Sequence, residues 1–434
     1  MAKISFQFLK IFTTIFLILV WILILNFGIV PSSKLEKQAT DRIIVAADLQ
    51  IEQGGFRGAG NKYQEFNEKF NVFYYRLIMK NIAKYFKPSH LVMLGDQFWS
   101  ENSGEEDFQK LKQKLNVVLS PFLQSKNEVK IHNISGNHDL GYGNQRRRYN
   151  NKRWIKEYGK LNTYFQLKTG QIFLLLDTLS LDNKPSQIND NEVEPSEKKM
   201  KSVKYHQELA LNPLKVIDKV NKIRKRDESN HPVFLFSHLP FYKPDNNCAD
   251  NFDIEYSERT GRVIEQTMLT ESTSKHLIEG INPALIMSGH DHVGCQYLHS
   301  NRFKEITVRS MLAEYGGHFL IIEILPDGGF YVSHCGFITH LTFFFLCLLS
   351  ALWVLILSLS FVFSKKKNQK NLITLIKENI SQKVEKKINE KERVKNASKN
   401  EKKKNGNKKQ NKRKKNSKIS RQKKKNQRRK KKAD

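Results

Sequence analysis

Apolar runs that each end in a short polar motif recur in a fixed order along this chain, and they constrain its fold more than any other feature. Ile43–Ala47 leads into Asp48-Leu49-Gln50, Leu91–Leu94 into Gly95-Asp96, and Val129–Ile134 into Gly136-Asn137-His138-Asp139. Val233–Phe236 leads into Ser237-His238, and Ala284–Met287 into Gly289-His290-Asp291-His292. Short runs of this kind, bounded by turn residues, read as buried strands. Helical patterns lie between them. Phe66, Phe70, Phe73, Leu77 and Ile78 recur near 3.6 spacing over Tyr63–Phe86 with Pro88 as a stop, and Phe108–Leu119 is a second helix. Gln171–Leu176 ending at Asp177, Glu305–Arg309 and Phe319–Leu325 add strands. The alternation predicts an α/β layered domain whose site lies along one sheet edge. The polar stretch Asp182–Met200 reads as a surface insertion.

Two longer runs set the topology. Ile11–Val30 is an uncharged run of 20 residues flanked by Lys3, Lys10 and Lys34. Leu341–Ser364 is an uncharged run of 24 residues followed at once by Lys365, Lys366 and Lys367. Either is long enough for a hydrocarbon core of ~30 Å. The first also competes with a cleaved signal peptide, but it exceeds the ~7–15 residues of such an apolar region, which favours an anchor. Past residue 364 come 26 lysines and 5 arginines against 6 acids, which accounts for most of the formal net charge of +31. Such a tail buries too little apolar surface to fold, and positive charge stays on the cytosolic side. The expected order is therefore a cytosolic N-terminus (1–10), a span (11–30), a luminal domain (31–335), a second span (341–364) and a disordered basic tail (365–434). Within that tail, Leu372–Ile388 could lie on the membrane as an amphipathic helix. A lysine tail across the bilayer from the site gives no reason to expect a specific nucleic-acid partner.

A luminal domain sits on the oxidising side of the membrane. Cys248 and Cys295 each follow a polar motif and are expected to form a disulfide on that side, with two buried thiols as the alternative. Cys347 falls in the second run and reads as a packing residue.

Taken singly, each polar motif has an ordinary explanation: an N-cap, a turn, a core histidine. Together they supply Asp, Gln, Asp, Asn and three His, enough oxygen and nitrogen donors for two hard or borderline metal ions. Asp96 can bridge two ions because a carboxylate has two oxygens, and His290 and His292 can reach adjacent ions from one loop.

These residues resemble the calcineurin-like metallophosphoesterases over nearly the whole luminal domain. The resemblance implies a sandwich of two mixed sheets flanked by helices, here placed between two transmembrane helices. It implies one metal held by Asp48, Gln50, Asp96 and His292, and another by Asp96, Asn137, His238 and His290. His138 would face the phosphate and Asp139 would orient it. Two divalent ions, Mn²⁺ preferred and Fe or Zn²⁺ as alternatives, would activate water and neutralise developing charge. Most members carry His where this chain has Gln50, whose neutral amide oxygen is a weaker donor. The stretches Gly136–Tyr142, Leu176–Ser180, Ser237–Tyr242 and Gly289–Cys295 resemble the membrane-bound subgroup that removes ethanolamine phosphate from a GPI-anchor mannose. That subgroup implies a GPI glycan or GPI-anchored protein as substrate. Lys431 and Lys432 read as a Lys-Lys-x-x retrieval signal for coat machinery, which places the chain in the endoplasmic reticulum and early Golgi. Two other readings remain: hydrolysis of a different phosphodiester, nucleotide or lipid, and a degenerate metal-binding protein.

Overall fold

The computed structural model describes residues 2–27, 29–31, 34–51, 62–124, 128–184, 197–226, 231–312 and 316–430. In chain order the elements begin with α1 (Ala2–Phe27), β1 (Ile29–Pro31), β2 (Asp41–Ala46), α2 (Lys62–Phe86), β3 (His90–Met93), α3 (Glu105–Leu123) and β4 (Lys130–Asn133). There follow α4 (Asn137–Leu140), α5 (Arg148–Tyr158), β5 (Thr163–Gln166), β6 (Ile172–Leu176), α6 (Glu197–Arg226) and β7 (Val233–Ser237). The remainder are β8 (Ile254–Tyr256), β9 (Val263–Gln266), α7 (Glu271–Ile281), β10 (Leu285–Ser288), β11 (Cys295–His299), β12 (Phe303–Thr307), β13 (His318–Ile324), β14 (Phe330–Phe337) and α8 (His340–Lys430).

Two six-stranded mixed sheets form, in the orders β1-β14-β13-β2-β3-β4 and β11-β12-β10-β7-β6-β5. The strands that carry the polar motifs run parallel within each sheet: β2, β3 and β4 in the first, β7 and β10 in the second. Antiparallel strands flank them, as β14 and β13 do beside β2, or β11 beside β12. The period-two alternation of strand side chains sorts the apolar runs into layers. Ile43 and Val45 point between the sheets, where they meet Val92, Phe173, Phe236, Met287 and Ile322. Their neighbours Ile44 and Ala46 point outward to a second cluster with Tyr74 and Ile78 of α2 and Leu111 and Leu115 of α3. On the other sheet, Leu174 and Leu235 meet Ile217 and Val220 of α6 and Leu277 of α7. Helix, sheet, sheet and helix therefore stack in four layers, each contact apolar on both sides.

The chain divides into two compact units, residues 1–347 and 348–434. In the first, the start of α8 packs on the outer layer: Phe343 is fully buried and its ring lies 5.7 Å from Trp21, 5.6 Å from Phe70 and 5.4 Å from Tyr74. Cys347 is half-buried against the same cluster. In the second unit, helix continues through the lysine-rich segment to Lys430, where composition predicts a disordered tail. Lys, Arg, Gln and Glu are strong helix formers, so local preference alone favours this conformation even with no packing partner. Among the described residues, only the apolar stretch of α8 is long enough to cross a membrane, and the apolar part of α1 is the shorter Lys10–Ile22. The second predicted span, 341–364, falls within that stretch of α8. Lys431 and Lys432 lie outside the described residues.

Candidate metal centre

All five polar motifs leave the C-terminal ends of parallel strands, and cross-sheet hydrogen bonds bring them together. The amide of Asp48 donates to Gly95 O (3.2 Å) and that of Gln50 to Asp96 O (2.8 Å), tying the first loop to the second. Gly289 donates to His238 O (3.0 Å), tying the fourth to the fifth. The two sheets meet through side chains. His290 N donates to Asp48 Oδ2 (3.0 Å), and His238 Nδ1 donates to Leu94 O (2.8 Å).

These turns are tight enough to force unusual backbone. Asp48, Gln50, Asp96 and His290 have φ of 53°, 43°, 50° and 72°, the left-handed region. Side chains rarely adopt it, at a cost of order 1–3 kcal/mol each, and it persists only where surrounding contacts hold it. Two glycines make room. A Cβ on Gly95 (φ 103°) would lie 2.5 Å from His238 Nδ1, and one on Gly136 would lie 2.0 Å from Asp96 Oδ1.

The result is a buried cluster of acceptors. Asp96, His238 and His290 each offer a ligand atom, and these atoms lie within 4.8 Å of one another. His238 Nε2 is 3.4 Å from Asp96 Oδ1 and 2.8 Å from Asn137 Oδ1. His290 Nε2 donates to Gln266 O (3.1 Å), which leaves Nδ1 as its lone-pair nitrogen. Asp48 Oδ1 is buried and has no hydrogen-bond partner among the described residues. Orphaned acceptors converging in a buried space fit divalent cations, and the mixed N/O set suits Mn²⁺, Fe or Zn²⁺. The electrostatics agree. Burial pushes the Asp48 carboxyl up to about 7, with Asp96 adding to the effect, while burial and the neighbouring His238 hold His290 down to about 3. Burial would lower His238, but the Asp96 and Asp48 carboxylates outweigh it and raise it to about 9. Burial likewise opposes ionisation of Asp96, and His238, His138 and His290 outweigh it, holding that carboxyl well below its usual range.

His138 heads α4. Its amide donates to Asp96 Oδ1 (2.8 Å), and its partly exposed ring holds Nε2 3.9 Å from Asp96 Oδ2. Asp139 does not meet the expectation that it orients that ring. Its Oδ1 accepts from the amides of Gln97 (3.0 Å) and Phe98 (3.1 Å), and its Oδ2 from Gly136 (2.8 Å). Facing backwards from the helix start, the carboxylate staples two loops instead. Asp177, at the end of β6, stays out of the cluster and forms a buried two-pronged ion pair with Arg146.

Gln50 turns Nε2 toward His292 Nε2 (3.2 Å) and Asp96 Oδ2 (3.5 Å), and its Oε1 accepts from Trp99 Nε1 (3.2 Å). The Trp99 ring stacks on His138, centroids 4.2 Å apart and planes 12° from parallel. Sequence reasoning passes over Trp99, although its position three residues past Asp96 was a usable signal. It also passes over Tyr142, whose hydroxyl donates to Gln266 O (3.1 Å) beside His290. Cys248 and Cys295 are joined, with Cα atoms 5.8 Å apart, and the 47-residue separation encloses both His290 and His292.

A two-sheet layered fold with an acceptor cluster at its strand ends is the framework of a metal-dependent phosphoesterase. The chain belongs to the calcineurin-like phosphoesterase family, whose pattern residues 41–294 match. It is 26% identical over 340 residues to an uncharacterized protein of Schizosaccharomyces pombe, spanning 69% of this chain and 74% of that one. It is 27% identical over 223 residues to Protein TED1 of Saccharomyces cerevisiae (43% of this chain, 42% of the relative). With Metallophosphoesterase 1 of Mus musculus the identity is 25% over 234 residues (52% and 54%). The chain thus spans about half the length of these last two relatives or less. Among solved structures, a dimetal phosphatase from Danio rerio aligns with TM-score 0.45 at 15% identity, covering 69% of this chain and 98% of that one.

Proposed function

We propose that this protein is a dinuclear-metal phosphodiesterase of the early secretory pathway that removes ethanolamine phosphate from a mannose of the GPI glycan. One observation carries the hydrolytic part: Asp96, His238 and His290 converge within 4.8 Å, with the His138 ring beside them on the open side. One ion would be held by Asp96, Asn137, His238 and His290, the other by Asp48, Asp96 and His292. When bound, the ions supply Lewis acidity, polarising phosphoryl oxygens and lowering the pKa of water. The chain's own residues do the rest. Asp96 holds the His138 amide, and the His138 ring lies beside the cluster with Nε2 3.9 Å from Asp96 Oδ2. From there His138 can donate a hydrogen bond to the phosphate or a proton to the departing alkoxide, while water supplies the new P–O bond.

The choice of substrate and of location both rest on the motif resemblance at Gly136–Tyr142, Ser237–Tyr242 and Gly289–Cys295. The apolar stretch of α8 supports a membrane enzyme, with α1 as a second, N-terminal anchor and the catalytic domain luminal. Protease mapping of both termini in intact microsomes tests that topology.

The activity is tested with the full chain in detergent, stripped of metal and titrated with Mn²⁺ on bis(p-nitrophenyl) phosphate. Metal-dependent turnover is expected, abolished in Asp96→Asn and reduced on the order of 10²–10⁴-fold in His138→Ala. A folded, metal-binding chain with no turnover on this substrate or on a GPI precursor would sink the hydrolase reading. Turnover of nucleotide or lipid diesters but not of GPI precursors would sink only the substrate.

A further inference from the structure

Gln50 is expected to ligate metal through its amide oxygen, but the structure turns that oxygen away. An indole N–H is a donor and nothing else, so the atom 3.2 Å from Trp99 Nε1 must accept, and Oε1 is the only acceptor on this side chain. The reversed amide would set –NH₂ against N–H at that distance. It would also point Oε1 at the Asp96 carboxylate, acceptor against acceptor. With no cation between them, both contacts favour this orientation; with a cation bound, the Trp99 hydrogen bond alone holds it.

Trp99 is 38% exposed and is held by its neighbour. Its ring is stacked on His138 at 4.2 Å, and the His138 amide is in turn held by Asp96. Gln50 is equally fixed at its backbone, with left-handed φ of 43° and its amide bonded to Asp96 O. What reaches the metal cluster is an –NH₂ group between His292 Nε2 and Asp96 Oδ2, the place where a cation would otherwise balance those two acceptors.

We infer that Trp99 locks Gln50 as a hydrogen-bond donor to Asp96 and His292, so that Gln50 is a positioning residue and not a metal ligand. Among the described residues, the ion site made by Asp48, Asp96 and His292 then has three protein ligands, whereas Asp96, Asn137, His238 and His290 make a set of four. The two sites are unequal, and Trp99 ties the weaker one to the face of His138.

The inference rests on the metal reading above, and Co²⁺ separates the two, because its d–d absorption bands report coordination number without any turnover. The metal-stripped full chain in detergent is titrated with Co²⁺, following the bands and the cobalt bound per chain. Gln50→Ala is expected to keep the wild-type bands and stoichiometry. Gln50→Asn, which tolerates the left-handed backbone but is too short to reach Trp99, provides the same comparison should the alanine variant fold poorly. Trp99→Phe keeps an aromatic ring on His138 but loses the N–H. It is expected to shift the bands as the freed amide turns its oxygen to the ion, and Trp99→Phe with Gln50→Ala is expected to restore them. Changed bands or a lost ion in folded Gln50→Ala would make Gln50 a ligand and overturn the inference. Wild type that binds no cobalt would overturn the metal reading itself.

Discussion

His238 Nε2 and Asn137 Oδ1 face each other at 2.8 Å, although the single proton of a neutral His238 is already given by Nδ1 to Leu94 O. Two acceptors in that position need either a second proton on the ring or a cation between them. Asp96 Oδ1, 3.4 Å from the same nitrogen, favours either occupant, and in a family that works with metals a bound cation would replace the proton.

His238→Ala and Asn137→Ala each remove one half of that pair. Each is expected to lose a bound ion, measured as metal per chain after loading with Mn²⁺ and desalting. Unchanged metal content in both variants would mean that the pair is structural.

Gly136→Ala should dismantle the site through sterics alone. The added Cβ would fall 2.0 Å from Asp96 Oδ1 and 2.4 Å from Asp96 N, and the backbone atom cannot swing aside. Metal binding and activity are expected to vanish together. Gly280→Ala is the matched control: it lies inside α7 with open space around its Cβ position. Removing a helical glycine there should stabilise the protein by ~0.5–1 kcal/mol, read as a small rise in thermal midpoint.

The Cys248–Cys295 bridge closes a loop that carries two of the candidate ligands. Chain entropy predicts a contribution of about 4 kcal/mol for a loop of this length. Cys248→Ser with Cys295→Ser should lower the thermal midpoint and weaken metal retention, and reductant should bring wild type to the same midpoint while leaving the double variant unmoved. A wild-type midpoint insensitive to reductant would show that the bridge does not form.

Glu305 gives a pH dependence away from the metals. Burial would raise its pKa, but Lys243 and His299 outweigh burial and hold it down to about 2. The carboxylate accepts from Lys243 Nζ (3.1 Å), His299 Nε2 (2.8 Å) and Ser288 Oγ (2.7 Å). A depressed folded-state pKa contributes stability that is complete above the ordinary value of 4.5 and is lost as pH falls toward 2. Glu305→Gln, which strands a buried lysine, should cost roughly 3–5 kcal/mol near neutral pH. The gap to wild type should narrow between pH 4.5 and about 2, followed as thermal midpoint against pH. A gap constant across that window would mean that Glu305 is not ionised in the folded chain.

The sequence by itself determined the elements that carry the site and the residue types at their ends. β2, β3, β4, β7 and β10 are legible because a buried strand needs a short apolar run, and that requirement is local. The ligand types are legible for the same reason, since each follows its strand directly. Tertiary structure decided how those residues are used. Gln50 and His292 lie 242 positions apart, His238 and Leu94 144, and only the registers of two sheets set which atoms meet. The left-handed turns at Asp48, Asp96 and His290, the pairing of Asp139 with backbone amides, and the grip of Trp99 on Gln50 all follow from those registers. Periodicity does not record contacts between distant loops, so the donor that turns an expected ligand around could not be read from the chain alone.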